Sequence, residues 1–376
     1  MPLPGIAPRG DPDKRLVDAE AGGVYAMGRL FFVQGGTLLA QPFDVATRSL
    51  GGSPQIVATD IAVGGRGGVA LSATGDRVIY RTGAAGSTQQ LTWFDRSGKQ
   101  LGTVGEPFAG GAGAMSISPD GTRVVVNRYV EARGEIFTVD LATGAATQVS
   151  DFPANNTYPV WSSDSQSVLF SSNLGVDYQA YRRATDAAAA VPVFQTPGWR
   201  HPMDMSRDGH YLIYRMNQPD LWALDTRTMS EIPVIRAGSG TAQWPQISPD
   251  GRWFAYQSAD FGGVEVYLHG PFDPPNVGQR TKPVSLADGG WVRWRADGRE
   301  LYFVAADGTL MAVALTFDAS GNGFTAAPPV KLFAVPMNMG SINSSIGQQY
   351  MPDRTGERFL VLVAMPAKSP VHVLGP

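Results

Sequence analysis

One phrase recurs along this chain and constrains its fold more than any other feature. It is a short apolar strand, then Ser-Pro-Asp-Gly or a variant, then a strongly alternating apolar strand. It reads LSATGDRVIY at 71–80, ISPDGTRVVV at 117–126, WSSDSQSVLF at 161–170 and MSRDGHYLIY at 205–214. It continues as ISPDGRWFAY at 247–256, WRADGRELYF at 294–303 and PDRTGERFLV at 352–361. The turn glycine, or Ser165 in its place, stands at 75, 121, 165, 209, 251, 298 and 356, so successive gaps are 46, 44, 44, 42, 47 and 58. A period near 44 fits one propeller blade of four short strands, roughly 40–45 residues.

Helical repeats of similar length exist, so residue types must decide. Three and five residues after each turn glycine stand pairs such as Val124/Val126, Leu212/Tyr214, Phe254/Tyr256 and Leu301/Phe303. Every such position is apolar or aromatic, with a spacing of two, which is strand periodicity. The turn chemistry agrees. Glycine tolerates positive φ, and Asp120, Asp208, Asp250 and Asp297 can bond their own backbone across the bend. Pro119 and Pro249 close the preceding strand, because proline cannot donate to a ladder. A third strand follows, often ending in Asp (LTWFD at 91–95, IFTVD at 136–140, LWALD at 221–225), then a weaker fourth. The segments LFFVQGGTLLAQPFD at 30–44 and LYFVAADGTLMAVALTFD at 301–318 are near copies, so an eighth unit is expected near the N-terminus.

Units then begin near 22, 65, 112, 157, 200, 243, 290 and 347. The last shows three strands, and one orphan strand, KRLVDA at 14–19, precedes the first. An open sheet edge leaves backbone groups unpaired. The expectation is an all-β chain: an eight-bladed propeller, closed by KRLVDA joining the last blade. Seven blades is the alternative if 319–350 is irregular. Residues 1–13 are expected to be a flexible N-terminal segment and 14–376 a single propeller domain.

Composition supports this and excludes other classes. Glycine makes up 45 of 376 residues, about 12% against a usual ~7%, which suits many tight turns. There is no Cys, so neither a disulfide scaffold nor a cysteine-ligated metal site is possible. A net charge of −3 without basic runs gives no footprint for nucleic acid or for a polybasic membrane patch. The longest apolar stretch, 359–367, is far short of the ~20 residues of a bilayer span. The N-terminus shows no signal-peptide pattern.

The Ser-Pro-Asp-Gly turn between strands resembles the TolB-type, WD40-like propeller repeat. The ordered set GRLFFVQGGTLLAQPFD, QLTWFDRSGKQLGTVGEP at 90–107, WVRWRADGRELYFVAADGTLMAVAL at 291–315 and GERFLVLV is similar to the C-terminal propellers of large bacterial serine/threonine protein kinases. The resemblance covers about 14 to 374. It implies a sensor or scaffold module, not kinase activity, since no Val-Ala-Ile-Lys phrase, His-Arg-Asp loop or Asp-Phe-Gly is present. A complete chain would be cytoplasmic; a fragment of a membrane kinase would be extracytoplasmic.

No catalytic set emerges. His201, His210, His269 and His372 show no paired spacing, Gly-x-Ser-x-Gly is missing, and the glycine runs at 64–68 and 109–114 lack the Lys-Ser/Thr of a phosphate loop. No cofactor and no metal is expected. The candidate site is the ring face or central channel, where loops on a rigid scaffold carry function. Two positions before the turn's aspartate-containing core stand Asp204, Gln246 and Arg293 in consecutive units, a column of mixed polarity. The column beside it, Leu71, Ile117, Trp161, Met205, Ile247 and Trp294, is uniformly apolar and reads as blade–blade core. Trp199, Arg200 and His201 precede an innermost strand and join the candidates, as exposed aromatic and arginine side chains are hot-spot types. The function expected is a monomeric, non-catalytic binding or scaffold propeller. Its ligand is a protein, peptide or small molecule. The alternatives are a propeller hydrolase or lyase with a channel site, or a truncated product with no independent role.

Overall fold

In a computed structural model of the chain, the described residues are 15–19, 22–59, 61, 69–82, 88–130, 133–175, 177–196, 198–216, 220–235, 242–259, 263–273, 276–277, 280–285, 289–336, 348–365 and 370–375. They form strands, turns and bends, and no helix among them is long and apolar enough to cross a membrane. Residues 1–13 and the glycine run at 64–68 lie outside the described residues. Two compact units result: Met1–Ser87 with Pro366–Pro376, and Thr88–Met365.

The larger unit is built from strands that are apolar on both faces. In Arg123–Val130, Val124, Val125 and Val126 are all fully buried. Because successive side chains point to opposite faces, such a strand must be covered on both sides. Val124 and Val126 pack with Leu91, Val104 and Leu360 on one side, and Val125 packs with Trp161, Val168 and Phe170 on the other. Sheets stacked face to face in this way continue until the last meets the first.

Among the described residues six four-stranded blades do so. Blade 1 joins Thr88–Asp95 and the first part of Gln100–Ile117 to Tyr350–Pro352 and Arg358–Met365. Blade 2 takes the second part of Gln100–Ile117, then Arg123–Val130, Arg133–Asp140 and Ala146–Gln148. Blade 3 is Asn156–Trp161, Ser167–Ser172, Gln179–Ala184 and Val191–Pro192; blade 4 is Arg200–Met205, Tyr211–Met216, Asp220–Asp225 and Ser230–Ile235. Blade 5 is Ala242–Ile247, Phe254–Ser258, Glu265–His269 and Arg280–Pro283; blade 6 is Gly289–Trp294, Glu300–Ala305, Thr309–Phe317 and Val330–Ala334. Each innermost strand touches the next, and that of blade 1 touches that of blade 2, so the ring closes. The column of Ile117, Trp161, Ile247 and Trp294 lies in these inter-blade cores, as its uniform apolarity indicated.

The expectation of eight blades closed by KRLVDA is corrected, and with it the seven-bladed alternative. Arg15–Ala19 carry no strand. Arg15 and Asp18 are exposed and pair with each other, leaving too few apolar side chains to hold a sheet edge. Closure is made instead by Arg358–Met365, where Phe359, Leu360, Val361 and Leu362 are all fully buried. It pairs over eight residues with Thr88–Asp95.

The smaller unit has two sheets. One holds Val24–Ala26, Arg29–Gln34, Thr37–Asp44 and Ser49–Leu50, with Gln55–Ala58 on Thr37–Asp44. The other holds Leu71–Thr74, Arg77–Arg81 and Val371–Leu374. They share a core of Phe31, Val33, Leu38, Val78 and Tyr80. Thus the unit expected to begin near 65 divides: its first two strands lie here, its next two in blade 1.

Candidate functional site

Each innermost strand of the ring ends in the repeated turn, and the turn's hydrogen bonds decide which side chain is free. In blades 2 and 4, Ser118 and Ser206 donate through Oγ to Oδ1 of Asp120 and Asp208, at 2.5 and 2.7 Å. The same carboxylate oxygens accept the backbone N–H of Thr122 and His210, both at 3.0 Å. The Gly121 N–H returns to the Ser118 carbonyl at 2.7 Å, with Gly121 at φ 79°, a conformation a Cβ would strain. The serine hydroxyls, first among the causes, hold the Asp164 and Asp208 carboxyls below the ordinary carboxylate range. First and third turn residues are therefore committed to the turn itself. The second is not.

Those second residues, Pro119, Arg207, Pro249, Ala296 and Arg354, line one cavity of about 490 Å³ at this face of the ring. Arg207 leaves blade 4 and reaches the Ala296 carbonyl of blade 6 through a long 3.4 Å bond. Arg354 lies beside the blade 2 turn, and a Cβ placed on Gly121 would sit 3.5 Å from its Cδ. Arg358 pairs with Asp353 at 3.0 Å and stacks over Trp93 at 4.9 Å. Arg207 and Arg354 have no carboxylate within ion-pair distance among the described residues.

Two candidates from the sequence, Gln246 and Arg293, border both this cavity and a smaller one of about 20 Å³ beneath it. They form the floor of the first and the roof of the second. Arg293 is buried, donating through Nη2 to the Met115 carbonyl at 3.0 Å and through Nε to that of Tyr350 at 3.4 Å. Burial pulls its guanidinium down to about 10. The third candidate, Asp204, lines the lower cavity, and its Oδ2 accepts the Ile247 N–H at 2.7 Å. Burial pushes its carboxyl up to about 7, against the pull of Ile247 and Arg293.

Below, the innermost strands bulge, and Tyr158, Trp244 and Trp291 take positive φ of 52°, 51° and 55°. Trp244 and Trp291 pack in one cluster with Tyr350, and Tyr158 and Met203 pack against it. Five blades thereby contribute side chains to one packed cluster.

Trp199, Arg200 and His201 lie at the other end of the blade 4 innermost strand from Asp204 and are not brought to the cavity. Arg200 is buried in an ion pair with Glu231 at 2.9 Å and over Phe194 at 4.5 Å. His201 is buried against Tyr158, with Nδ1 2.8 Å from Ser171 Oγ, and burial pulls its imidazole down to about 3. Trp199 is 43% exposed and donates to Asp177 at 2.6 Å. The arginines at 207 and 354 were missed. The signal was in the repeat: each stands where Pro119 and Pro249 stand in sister turns.

The Asp204 shift yields a testable pH dependence. An acid whose folded value is raised loses stability as pH climbs from its unfolded value near 4 to its folded value near 7. Asp204→Asn keeps an acceptor for Ile247 without that charge. Its melting temperature should match the parent's near pH 4, then gain on it up to pH 7 and hold the gain above. A flat difference across that window would count against the buried carboxyl.

Comparisons with known proteins are consistent with this architecture. The profile of a family described as the TolB beta propeller domain matches residues 68–269, just over half of the chain. Among solved structures, the putative TolB from Agrobacterium tumefaciens is similar at 18% identity and a TM-score of 0.53, covering 75% of this chain and 99% of that one. TolB from Acinetobacter baumannii is similar at 13% identity and a TM-score of 0.44, covering 80% of this chain and 79% of that one. A prolyl endopeptidase is similar at 13% identity and a TM-score of 0.40, covering 95% of this chain and 50% of that one. No curated protein matches.

Proposed function

Because the chain belongs to the TolB β-propeller domain family, we propose that it is a non-catalytic binding module whose ligand enters the turn-lined mouth of the ring. The observation that carries this is the pair of arginines, Arg207 and Arg354, at turn positions taken by proline in blades 2 and 5, above the buried Arg293. Guanidinium groups supply a fixed fork of hydrogen-bond donors for binding and no acceptor that could serve as a base. Of the carboxylates at the mouth, Asp120 is held in its own turn and Asp353 is paired with Arg358. Asp204, whose carboxyl does titrate near 7, faces a cavity with room for about one water. A rigid ring with a cationic mouth is suited to holding a ligand, whether protein, peptide or small molecule. The finer reading, a sensor module related to kinase receptors, rests on the order of the repeat units alone.

Ala296→Trp fills the mouth from an intermediate-exposure turn position without touching the inter-blade cores. In a thermal-shift screen, compounds that raise the melting temperature of the parent should fail to raise that of the variant. The unliganded variant should melt close to the parent. Ligands that stabilise both proteins equally would place binding elsewhere. Conversion of a bound compound to product, lost in the variant, would replace this reading with a channel hydrolase or lyase.

A further inference from the structure

We propose that the mouth takes a small organic anion, a carboxylate or phosphate head on a flat apolar body; this rests on the binding reading above. The chemistry of the wall sets the class. Arg207 and Arg354 present guanidinium groups to one cavity with no carboxylate within ion-pair distance among the described residues, and the buried Arg293, which interacts electrostatically with Asp204, borders it from below. Their concentration is notable in a chain whose net charge is −3. Like charges brought together with no ion-pair partner in reach repel one another and cost stability, so the two arginines at 207 and 354 favour an anion that relieves them. Guanidinium forks also match carboxylate and phosphate oxygens in geometry, which a lone ammonium does not.

Asp120 and Asp353 border the same cavity, and both are engaged. Asp120 accepts from Ser118 and Thr122, and Asp353 from Thr355, Gly356 and Arg358. Oδ1 of each is turned into its own turn, while among the described residues the guanidinium of Arg207 is held by the long bond to Ala296. That bond is near the limit of hydrogen-bond geometry, so Arg207 can exchange it for a ligand oxygen at little cost.

The rest of the wall sets the body of the ligand. Trp93, Trp294, Pro119, Pro249, Pro352 and Met351 contribute apolar surface. Trp294 is fixed by its Nε1–H, which donates to the Gln246 carbonyl at 3.0 Å, so its ring is a rigid face. The volume of about 490 Å³ lies within the range of roughly 300–1,000 Å³ typical of small-ligand pockets. Tyr158 and Trp244 line the small cavity beneath the floor, which has room for about one water and not for a peptide chain.

The test is titration calorimetry of the whole chain with phenyl phosphate and benzoate as anions, benzyl alcohol and benzylamine as neutral and cationic counterparts, and a glutamate-rich peptide. The proteins are the parent, Arg207→Gln, Arg354→Gln, the double variant and Ala296→Trp. Both arginines are exposed, so the variants should keep the parent's melting temperature, which is measured alongside. Phenyl phosphate or benzoate should bind the parent and weaken with added salt. Each single variant should lose about tenfold in affinity, the double variant more, consistent with loss of a charge-assisted bond. Equal binding of benzyl alcohol or benzylamine, or undiminished binding of anions to the double variant, would overturn the proposal. So would mouth-dependent binding of the peptide with none of the small anions. Anion binding that survives Ala296→Trp would overturn the binding-site reading itself, whereas neutral ligands lost on Ala296→Trp would leave that reading standing and remove only the charge assignment.

Discussion

Leu360→Asp should prevent the larger unit from forming a closed ring. Leu360 is fully buried in the core between blades 1 and 2, with Leu91, Val104, Val124 and Leu362. Removing a buried leucine forfeits about 1.5–3 kcal/mol of apolar burial. Placing a carboxylate there among apolar side chains adds a desolvation cost of several kcal/mol. Together these approach the whole stability of an ordinary domain, about 5–15 kcal/mol. The strand that carries Leu360 is also the one that closes the ring, so no neighbouring blade can compensate. Circular dichroism and size exclusion should show a chain that is expanded or aggregated. Leu360→Met, a volume-conserving change costing under about 1.5 kcal/mol, should stay folded. A Leu360→Asp protein that elutes and melts like the parent would show that Arg358–Met365 does not close the ring.

Trp291→Ala should be the most damaging truncation in the cluster around Tyr350. The indole is fully buried and packs with Trp244, Tyr350, Phe359 and Val361, and its carbonyl accepts the Tyr350 hydroxyl at 2.8 Å. Truncating a buried aromatic side chain to alanine costs about 3–5 kcal/mol. The residue stays at a left-handed φ of 55° whatever side chain it carries. Trp291→Gly therefore makes a useful companion: it leaves the same cavity while relieving backbone strain of about 1–2 kcal/mol. Urea unfolding should rank parent, then glycine, then alanine, with both variants far below the parent. A shift in midpoint small enough to match a surface substitution would mean that this cluster is not packed as described.

Much of the ring was legible in the chain. The alternation of Val124 and Val126, of Leu212 and Tyr214, and of Phe254 and Tyr256 marks faces that now pack against the preceding blade. The near-copy segments at 30–44 and 301–318 both form hairpins, Arg29–Gln34 with Thr37–Asp44 and Glu300–Ala305 with Thr309–Phe317. Blade number was not legible, because a repeat phrase records each strand's faces and not its hydrogen-bonding edge. Thr88–Asp95 looks like the third strand after Arg77–Arg81, yet it pairs with Arg358–Met365, while Arg77–Arg81 pairs with Val371–Leu374. At the site, polarity singled out Gln246 and Arg293, which border the mouth, and Asp204 beneath them. It also singled out Arg200 and His201, which are consumed in packing and pairing. Residue type cannot separate a guanidinium that meets Glu231 from one that meets a backbone carbonyl at the mouth, since that depends on which strands become neighbours.

Closure between Thr88–Asp95 and Arg358–Met365 has a consequence for synthesis. A ribosome delivers blades 2 to 6 in order, and each can stack on its predecessor as it emerges. Blade 1 begins with two strands that must wait, one edge bare, through nearly the whole of translation. Long-range pairing of this kind is slow, and an unpaired edge is exposed to other nascent chains meanwhile. In the cell, the yield of this protein should therefore depend on how long the first hairpin stays guarded, more than on the stability of the ring it finally completes.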